Sequence, residues 1–454
     1  QQELQSVAPR RKKVLYDVEH RNGSWLITTN VNDSPNMRLM VSPAVPDSAA
    51  HWTLLKFGET PLFDGGLERA LDEVVPFRHH VVASGREGGI PRIWIISLDE
   101  NDQVKKPLER LDFEEEAYDV GLGPNELYDS SHVVVSYDSL VTPPQSIRVD
   151  MSDPTSPRTV LKQTHVPGYV KEDYGCERTM VKSRDGTTEI PVSIVYRKNV
   201  MEEFRASHKP MPVHLNGYGS YGCCEEADFG VTRLPLLERG MVYVIAHVRG
   251  GGEMGRQWYE EPMGAKYLCK KNTFNDFVDV AQWLVEEKQW TTPDLLSCEG
   301  RSAGGLLIGA SINQAPHLFR AAILGVPFVD VVATMIDSTI PLTSGEWEEW
   351  GNPNEEKYHQ YMMEYSPINN VQNGATYPSC LLTGGLHDPR VQYWEPAKFA
   401  AELRHNHVPE SSGPVCLKID MAAGHFSASD RYKYYKELAF DYAFLLDQLG
   451  LHTT

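Results

Sequence analysis

The sequence predicts two domains of different class: an all-β portion of about three propeller blades over residues 1–165, then a mostly parallel, doubly wound α/β sheet over residues 166–454. Three observations predict it. At 454 residues the chain is too long for one hydrophobic core. Up to about residue 165, similar hairpin patterns recur at a fixed interval. Beyond it, strand-length apolar runs alternate with helix-length amphipathic segments, as in a parallel sheet covered on both faces.

The recurring patterns are Trp25-Leu-Ile-Thr-Thr with Met37-Arg-Leu-Met-Val, His80-Val-Val-Ala-Ser with Pro91-Arg-Ile-Trp-Ile, and His132-Val-Val-Val-Ser with Ser146-Ile-Arg-Val-Asp. Each is a β-rich run, a polar turn and a second β-rich run. Leu39, Ile93 and Ile147 recur at intervals of 54 residues, the length of a propeller blade made of short strands. Three unrelated hairpins of a β-sandwich are the alternative. Three blades do not close a ring, so further blades are expected before Gln1 or from a second chain. Glu114-Glu-Glu116 reads as solvated loop charge, and the Asp-Pro-Thr-Ser-Pro segment from Asp153 as a linker. The boundary is expected between residues 155 and 175.

In the second portion, strands are expected at Thr179–Ser183, Ile190–Arg197, Met241–Val248, Leu295–Glu299, Ala321–Val326, Ser379–Thr383 and Val415–Asp420. Helices are expected at Thr273–Lys288, Trp394–His405 and Tyr432–Leu449, the first opened by Thr273 and Asp276 in the manner of a capping box. In such a sheet, reactive groups lie on loops beyond the strand C-termini.

Composition narrows the function classes. With 41% hydrophobic and 23% charged residues the chain is an ordinary globular protein. No apolar run approaches eighteen residues, and no signal-peptide pattern opens the sequence. A net charge of -19 argues against nucleic acid or an anionic membrane as partner, since either needs a basic face, and is compatible with a cationic ligand. Seven cysteines without framework spacing, among them the vicinal Cys223-Cys224, predict reduced thiols in a cytoplasmic setting. No metal or cofactor is implied.

The chemistry centres on Gly300-x-Ser302-x-Gly304, where an apolar run ends and a helix-compatible segment, Leu306–Asn313, follows directly. Small residues beside a serine allow a sharp strand-to-helix turn that lifts the hydroxyl above the sheet edge and puts the next N–H at a helix N-terminus. In isolation the motif is also compatible with a glycine-rich connection. Two later loops supply what a serine nucleophile lacks: Asp388 after one expected strand and His425 after the next. The hydroxyl needs a base, and the imidazole needs a carboxylate to hold its tautomer. Singly, Asp388 reads equally as a helix N-cap and His425 as a loop histidine. Together with the elbow they give the Ser, Asp, His order of α/β-hydrolases.

The runs Asn216-Gly-Tyr218-Gly-Ser-Tyr-Gly222, His247-Val-Arg249-Gly-Gly-Gly-Glu253, Gly300-Arg-Ser302-Ala-Gly-Gly305 and Gly424-His425 resemble the prolyl oligopeptidase family of serine peptidases. Thr343-Ser-Gly-Glu346-Trp-Glu348-Glu-Trp-Gly-Asn352 and Leu386-His-Asp388, followed by Tyr393-Trp-Glu-Pro396, resemble its oligopeptidase B branch. The resemblance covers residues 170–450. It implies Ser302 as nucleophile, His425 as general base and acid, Asp388 as its orienting partner, and an oxyanion hole made by the Tyr218 phenol and the Ala303 N–H. Arg249 and the glycines after it are expected to shape and pin a loop. A family member carries a complete propeller over the active-site face and an added N-terminal segment. The resemblance therefore implies that about a third of such a protein is lacking here, and that a separate N-terminal fragment is a candidate partner.

Glu346, Glu348 and Glu349 stand between Trp347 and Trp350. In a strand-like stretch, Glu346 and Glu348 point the same way, and two converging carboxylates suit a guanidinium or ammonium. The resemblance then implies that they bind the basic residue before the scissile bond of a short peptide; otherwise they form a solvated acidic loop. Glu226 and Asp228 match a second acidic site of the branch, although Cys223-Cys224 departs from its pattern, and Arg390 matches an arginine that holds a substrate carbonyl. The expected function is hydrolysis of short peptides after Arg or Lys. Esterase or acylaminoacyl-peptidase activity and a purely binding role are the alternatives.

Overall fold

Runs rich in β-branched and aromatic residues fold the first part of the chain into three four-stranded antiparallel sheets. The computed structural model describes residues 7–43, 51–406, 408, 411–426 and 430–451, so Gln1 lies outside the described residues. Each hairpin seen in the sequence is the central pair of one sheet: Ser24–Thr29 with Arg38–Pro43, His80–Glu87 with Ile90–Ser97, and His132–Ser139 with Gln145–Asp150. Flanking strands are Tyr16–Arg21 and Thr53–Leu54, Arg69–Pro76 and Glu109–Arg110, and Tyr118–Leu122 and Thr159–Gln163.

Successive residues of a strand face opposite sides, and the middle sheet uses both. Val81 and Trp94 pack with Leu26 and Leu39 of the first sheet, whereas Val82 and Ile93 pack with Val120, Val133 and Ile147 of the third. Stacked blades result, as the 54-residue interval predicts. Arg21, fully buried, ties the first sheet to the second by donating to the carbonyls of Phe77 and Asp99 at 3.0 Å each and pairing with Asp102. Glu115 corrects the expectation of solvated loop charge. It is part-buried and accepts from the hydroxyls of Tyr137 and Thr142.

In the second part, eight strands form one sheet: β1 (Tyr174–Lys182), β2 (Glu189–Arg197), β3 (Val213–Asn216), β4 (Val242–Ala246), β5 (Leu296–Arg301), β6 (Ala321–Gly325), β7 (Ser379–Gly385) and β8 (Val415–Asp420). Their order is β1-β2-β4-β3-β5-β6-β7-β8. β1, β2 and β4 pair antiparallel, and all later pairings are parallel. The helices that matter below are α1 (Lys198–Ser207), α2 (Lys271–Gln282), α3 (Ala303–Gln314), α4 (Thr343–Trp350), α5 (Glu356–Tyr365), α6 (Trp394–Asn406) and α7 (Arg431–Gln448). α3 is buried on every side from Ala303 to Asn313, which is why its sequence is apolar all round rather than amphipathic.

The expected capping box is not formed. α2 starts before Thr273, at Lys271, and loosens into a wider turn at Trp283–Glu287. The Thr273 hydroxyl donates instead to the Arg249 carbonyl at 2.7 Å, and Asp276 receives the Arg249 guanidinium at 2.6 and 2.8 Å. Both side chains thus hold the glycine-rich loop, the pinning role expected for Arg249.

The chain divides into two compact units, and the first, Gln1–Tyr169, also takes Glu226–Phe229 and Glu253–Gln257. A single boundary near residue 165 does not anticipate those two segments. Within the first unit, the Asn36 side chain accepts from the Arg256 amide at 2.7 Å. No helix among the described residues is long and apolar enough to cross a membrane.

Candidate active site

Ser302 sits at the turn from β5 into α3 with φ 56° and ψ -119°, a backbone conformation that L-residues hold only under constraint. Its neighbours explain how. Added Cβ atoms would fall 2.2 Å from the Gly304 carbonyl oxygen at Gly300, and 2.4 Å from Pro327 Cβ at Gly305. Only glycine fits either place. The Ser302 amide donates to the Gly325 carbonyl at 2.8 Å and its carbonyl accepts from Phe328 N at 3.1 Å, so the turn is fastened to the end of β6.

Asp388 follows β7 and His425 follows β8. The turn after β7 passes close beneath the β8 loop: a Cβ on Gly385 would lie 2.5 Å from the Gly424 carbonyl oxygen, and His387 N donates to the Ala423 carbonyl at 3.1 Å. That proximity delivers the imidazole. His425 Nδ1 lies 2.7 Å from Asp388 Oδ2, and its Nε2 lies 3.0 Å from Ser302 Oγ. Asp388 Oδ1 accepts from the amides of Arg390 and Val391 at 2.8 and 2.9 Å. One carboxylate oxygen is thus anchored by backbone while the other faces the imidazole.

Ala303 begins α3, and N–H groups of a first helical turn have no acceptor within the helix. Tyr218, on the loop after β3, packs over this helix start. A Cβ on Gly304 would meet the Tyr218 ring at 3.3 Å and the Gly217 carbonyl at 3.1 Å. Burial, with Cys223 and nearby carboxylates adding to it, raises the Tyr218 pKa, so the phenol keeps its proton and can donate.

A cavity of about 370 Å³ opens beside Ser302, lined among others by Tyr218, Tyr221, Phe328, Glu346, Trp350 and Arg390. The stretch Thr343–Trp350 is helix α4, not a strand, which changes the geometry expected of its carboxylates. At about 100° per residue, Glu346 shares a face with Glu349 and Trp350, while Glu348 points away. Glu346 accepts from the Tyr221 hydroxyl at 2.8 Å and Trp350 Nε1 at 3.1 Å. Glu348 lies outside the cavity lining and meets the Tyr267 hydroxyl at 3.3 Å. Glu349, buried, accepts from the Tyr221 amide at 2.9 Å and from the Tyr259 hydroxyl.

Glu226 and Asp228 fall in the first unit, where Glu226 pairs with Arg86. Burial, with Glu226 and Asp228 adding to it against Arg86, raises the pKa of Asp119 there to about 6. Neither Glu226 nor Asp228 lines the cavity beside Ser302. The Arg390 guanidinium stands 5.4 Å from the Phe426 ring centroid. Sequence reasoning missed Tyr221, Glu349 and Lys270, the last buried against the Tyr218 loop. Counting helical period across Thr343–Trp350 would have found Glu349. Lys270, beside Lys271, carries no signal that separates it from surface charge.

Comparisons with known proteins agree with this architecture. Residues 227–452 match the model of the prolyl oligopeptidase family, and residues 1–164 that of its N-terminal β-propeller domain. The chain is 40% identical to dipeptidyl aminopeptidase BI of Pseudoxanthomonas mexicana, over 98% of this chain and 58% of the relative. It is 39% identical to protease 2 of Moraxella lacunata, over 99% and 60%. Among solved structures, oligopeptidase B of Leishmania major superposes with a TM-score of 0.86 at 42% identity, covering 98% of this chain and 60% of that one. Oligopeptidase B of Trypanosoma brucei, solved with covalently bound antipain, gives 0.86 at 43% identity, over 98% and 61%. The chain therefore spans about three-fifths of the length of these relatives. With an elbow serine on an α/β-hydrolase sheet, preceded by propeller blades and matched by both family models, the chain belongs to the prolyl oligopeptidase family.

Proposed function

We propose that this chain carries the catalytic site of a serine oligopeptidase that cleaves short peptides on the carboxyl side of Arg or Lys. The observation that carries the reading is the continuous hydrogen-bonded relay from Ser302 Oγ through His425 to Asp388, at 3.0 and 2.7 Å. His425 Nε2 takes the hydroxyl proton as Oγ attacks the scissile carbonyl, while Asp388 holds the imidazole and stabilises the imidazolium. The tetrahedral oxyanion is met by the Ala303 N–H and the Tyr218 phenol. His425 then protonates the leaving amine, and water repeats the sequence on the acyl-enzyme.

Glu346 supports the basic preference. It is the carboxylate that lines the cavity beside Ser302, and a substrate cation entering there would replace lost hydration with a charge-assisted hydrogen bond. The names of relatives called oligopeptidase B support the same class.

The test compares matched fluorogenic peptides carrying Arg, Lys, Pro or Phe before the scissile bond, with Ser302→Ala as the control. Cleavage of the Arg and Lys peptides that disappears in Ser302→Ala is the expected result. Preference for the Pro or Phe peptide would sink the proposed specificity, and hydrolysis persisting in Ser302→Ala would sink the proposed nucleophile.

A further inference from the structure

The turn that follows Tyr218 is held in a shape that one of its residues, Tyr221, does not favour. Gly219 and Gly222 have φ of 70° and 66°, and between them Tyr221, a bulky residue, has φ of 61°. Left-handed backbone at such a residue persists only where surrounding structure imposes it.

Two buried charges meet this turn, Lys270 from just before α2 and Glu349 from within α4. Lys270 is 1% exposed; its Nζ donates to the Gly219 carbonyl at 2.6 Å and to the Ser220 hydroxyl at 2.8 Å, and lies 5.0 Å from the Trp350 ring centroid. Glu349 is 3% exposed and holds the Tyr221 amide at 2.9 Å. Burial drives the Lys270 pKa down to about 8, with Glu349 the charge that opposes the fall. The third side of the turn is closed by glycine. A Cβ on Gly250 would lie 2.0 Å from the Gly219 carbonyl oxygen, which accepts the Lys270 hydrogen bond. Burying an ammonium and a carboxylate is costly, and three fixed neighbours around four residues specify one backbone path.

We propose that Lys270 and Glu349 are positioning residues that set the Tyr218–Tyr221 segment, holding the Tyr218 phenol at the nucleophile and the Tyr221 hydroxyl against Glu346. The inference rests on the reading of Ser302 as nucleophile. Tyr221 is the link: its amide is held by Glu349 and its hydroxyl by Glu346, both from α4. The oxyanion donor and the primary pocket therefore share one support.

Lys270→Met keeps the chain length and removes the donors, while Glu349→Gln keeps shape and one acceptor oxygen. Each variant is titrated with a fluorophosphonate to count reactive Ser302, then assayed on Arg and Lys peptides. The expected result is a loss of about 30-fold or more in kcat per titrated site on both peptides, with KM changed less than about threefold. A merely structural role would lower the titratable fraction and leave turnover per site unchanged. That outcome, or turnover per site within about threefold of the parent in either folded variant, overturns the proposal. Glu349→Gln decides alone where Lys270→Met is not recovered folded. A parent protein that takes up no fluorophosphonate at Ser302 fails differently, because it removes the nucleophile reading itself.

Discussion

The hydroxyl of Tyr221 donates to Glu346 at 2.8 Å. This contact orients one carboxylate into the cavity beside Ser302, while Glu348, two residues on, is turned toward Tyr267. Glu346→Gln is expected to lower kcat/KM for Arg and Lys peptides about 10²-fold, the size of losing a desolvated charge partner. Glu348→Gln is expected to stay within about threefold. Steady-state kinetics on the two variants checks the pair, and equal losses would return Glu348 to the pocket.

Asp388 anchors one oxygen on two backbone amides and offers the other to His425. Asp388→Asn retains the anchoring oxygen but presents an amide to the imidazole in the wrong tautomer, so kcat is expected to fall about 10⁴-fold with the fold intact. Tyr218→Phe is expected to lose a smaller factor, about 10² to 10³, because one oxyanion donor remains. Single-turnover rates with circular dichroism as the folding control measure both.

Glu395, in α6, is buried among uncharged donors. It accepts from the amides of Val329 and Asp330 at 2.9 Å each and from the Thr334 hydroxyl at 2.8 Å. Burial outweighs these bonds and pushes its pKa up to about 7. An unfolded glutamate titrates near pH 4.3, so between these values the folded chain holds the extra proton. Its contribution to stability is full below about pH 4.3 and is lost as pH rises through about 7, by up to about 4 kcal/mol. In Glu395→Gln this part of the slope should vanish. Urea midpoints at pH 5 and pH 8 for both proteins test it.

The Arg249–Asp276 pair is buried, and Ser183 and Asp185 also meet the guanidinium. Asp276→Ala is expected to cost about 3 kcal/mol, because it takes the buried carboxylate from a buried guanidinium and leaves the charge to the partly exposed Asp185. The double variant with Arg249→Met should recover part of that loss. Denaturant titration of the single and double variants decides, and simple additivity would show the pair to be uncoupled.

The sequence disclosed what depends on local pattern. Strand periodicity located the central pair of every blade, and Val415–Asp420 forms with the bounds expected. The elbow was legible because glycine spacing is itself a steric statement. What was not legible depends on direction. Sequence alone puts Glu346 and Glu348 on one face because the acidic run reads equally as strand or helix over so few residues. Thr273 and Asp276 have the spacing of a cap, yet tertiary partners claimed them. Lys270 looks like any surface lysine until the turn it supports is known.

The two halves of the site come from separate stretches of chain. The proton relay sits at the ends of β5, β7 and β8, whereas the pocket carboxylate belongs to α4, between β6 and β7. Under the proposed function, substrate preference and bond-breaking power are encoded apart, so a lineage can rewrite one without rewriting the other. Glu349 is the exception within that exchangeable segment, since it also grips the backbone beside Tyr218. A library randomised over Thr343–Trp350 should therefore yield new selectivities freely, yet retain a carboxylate at that single position.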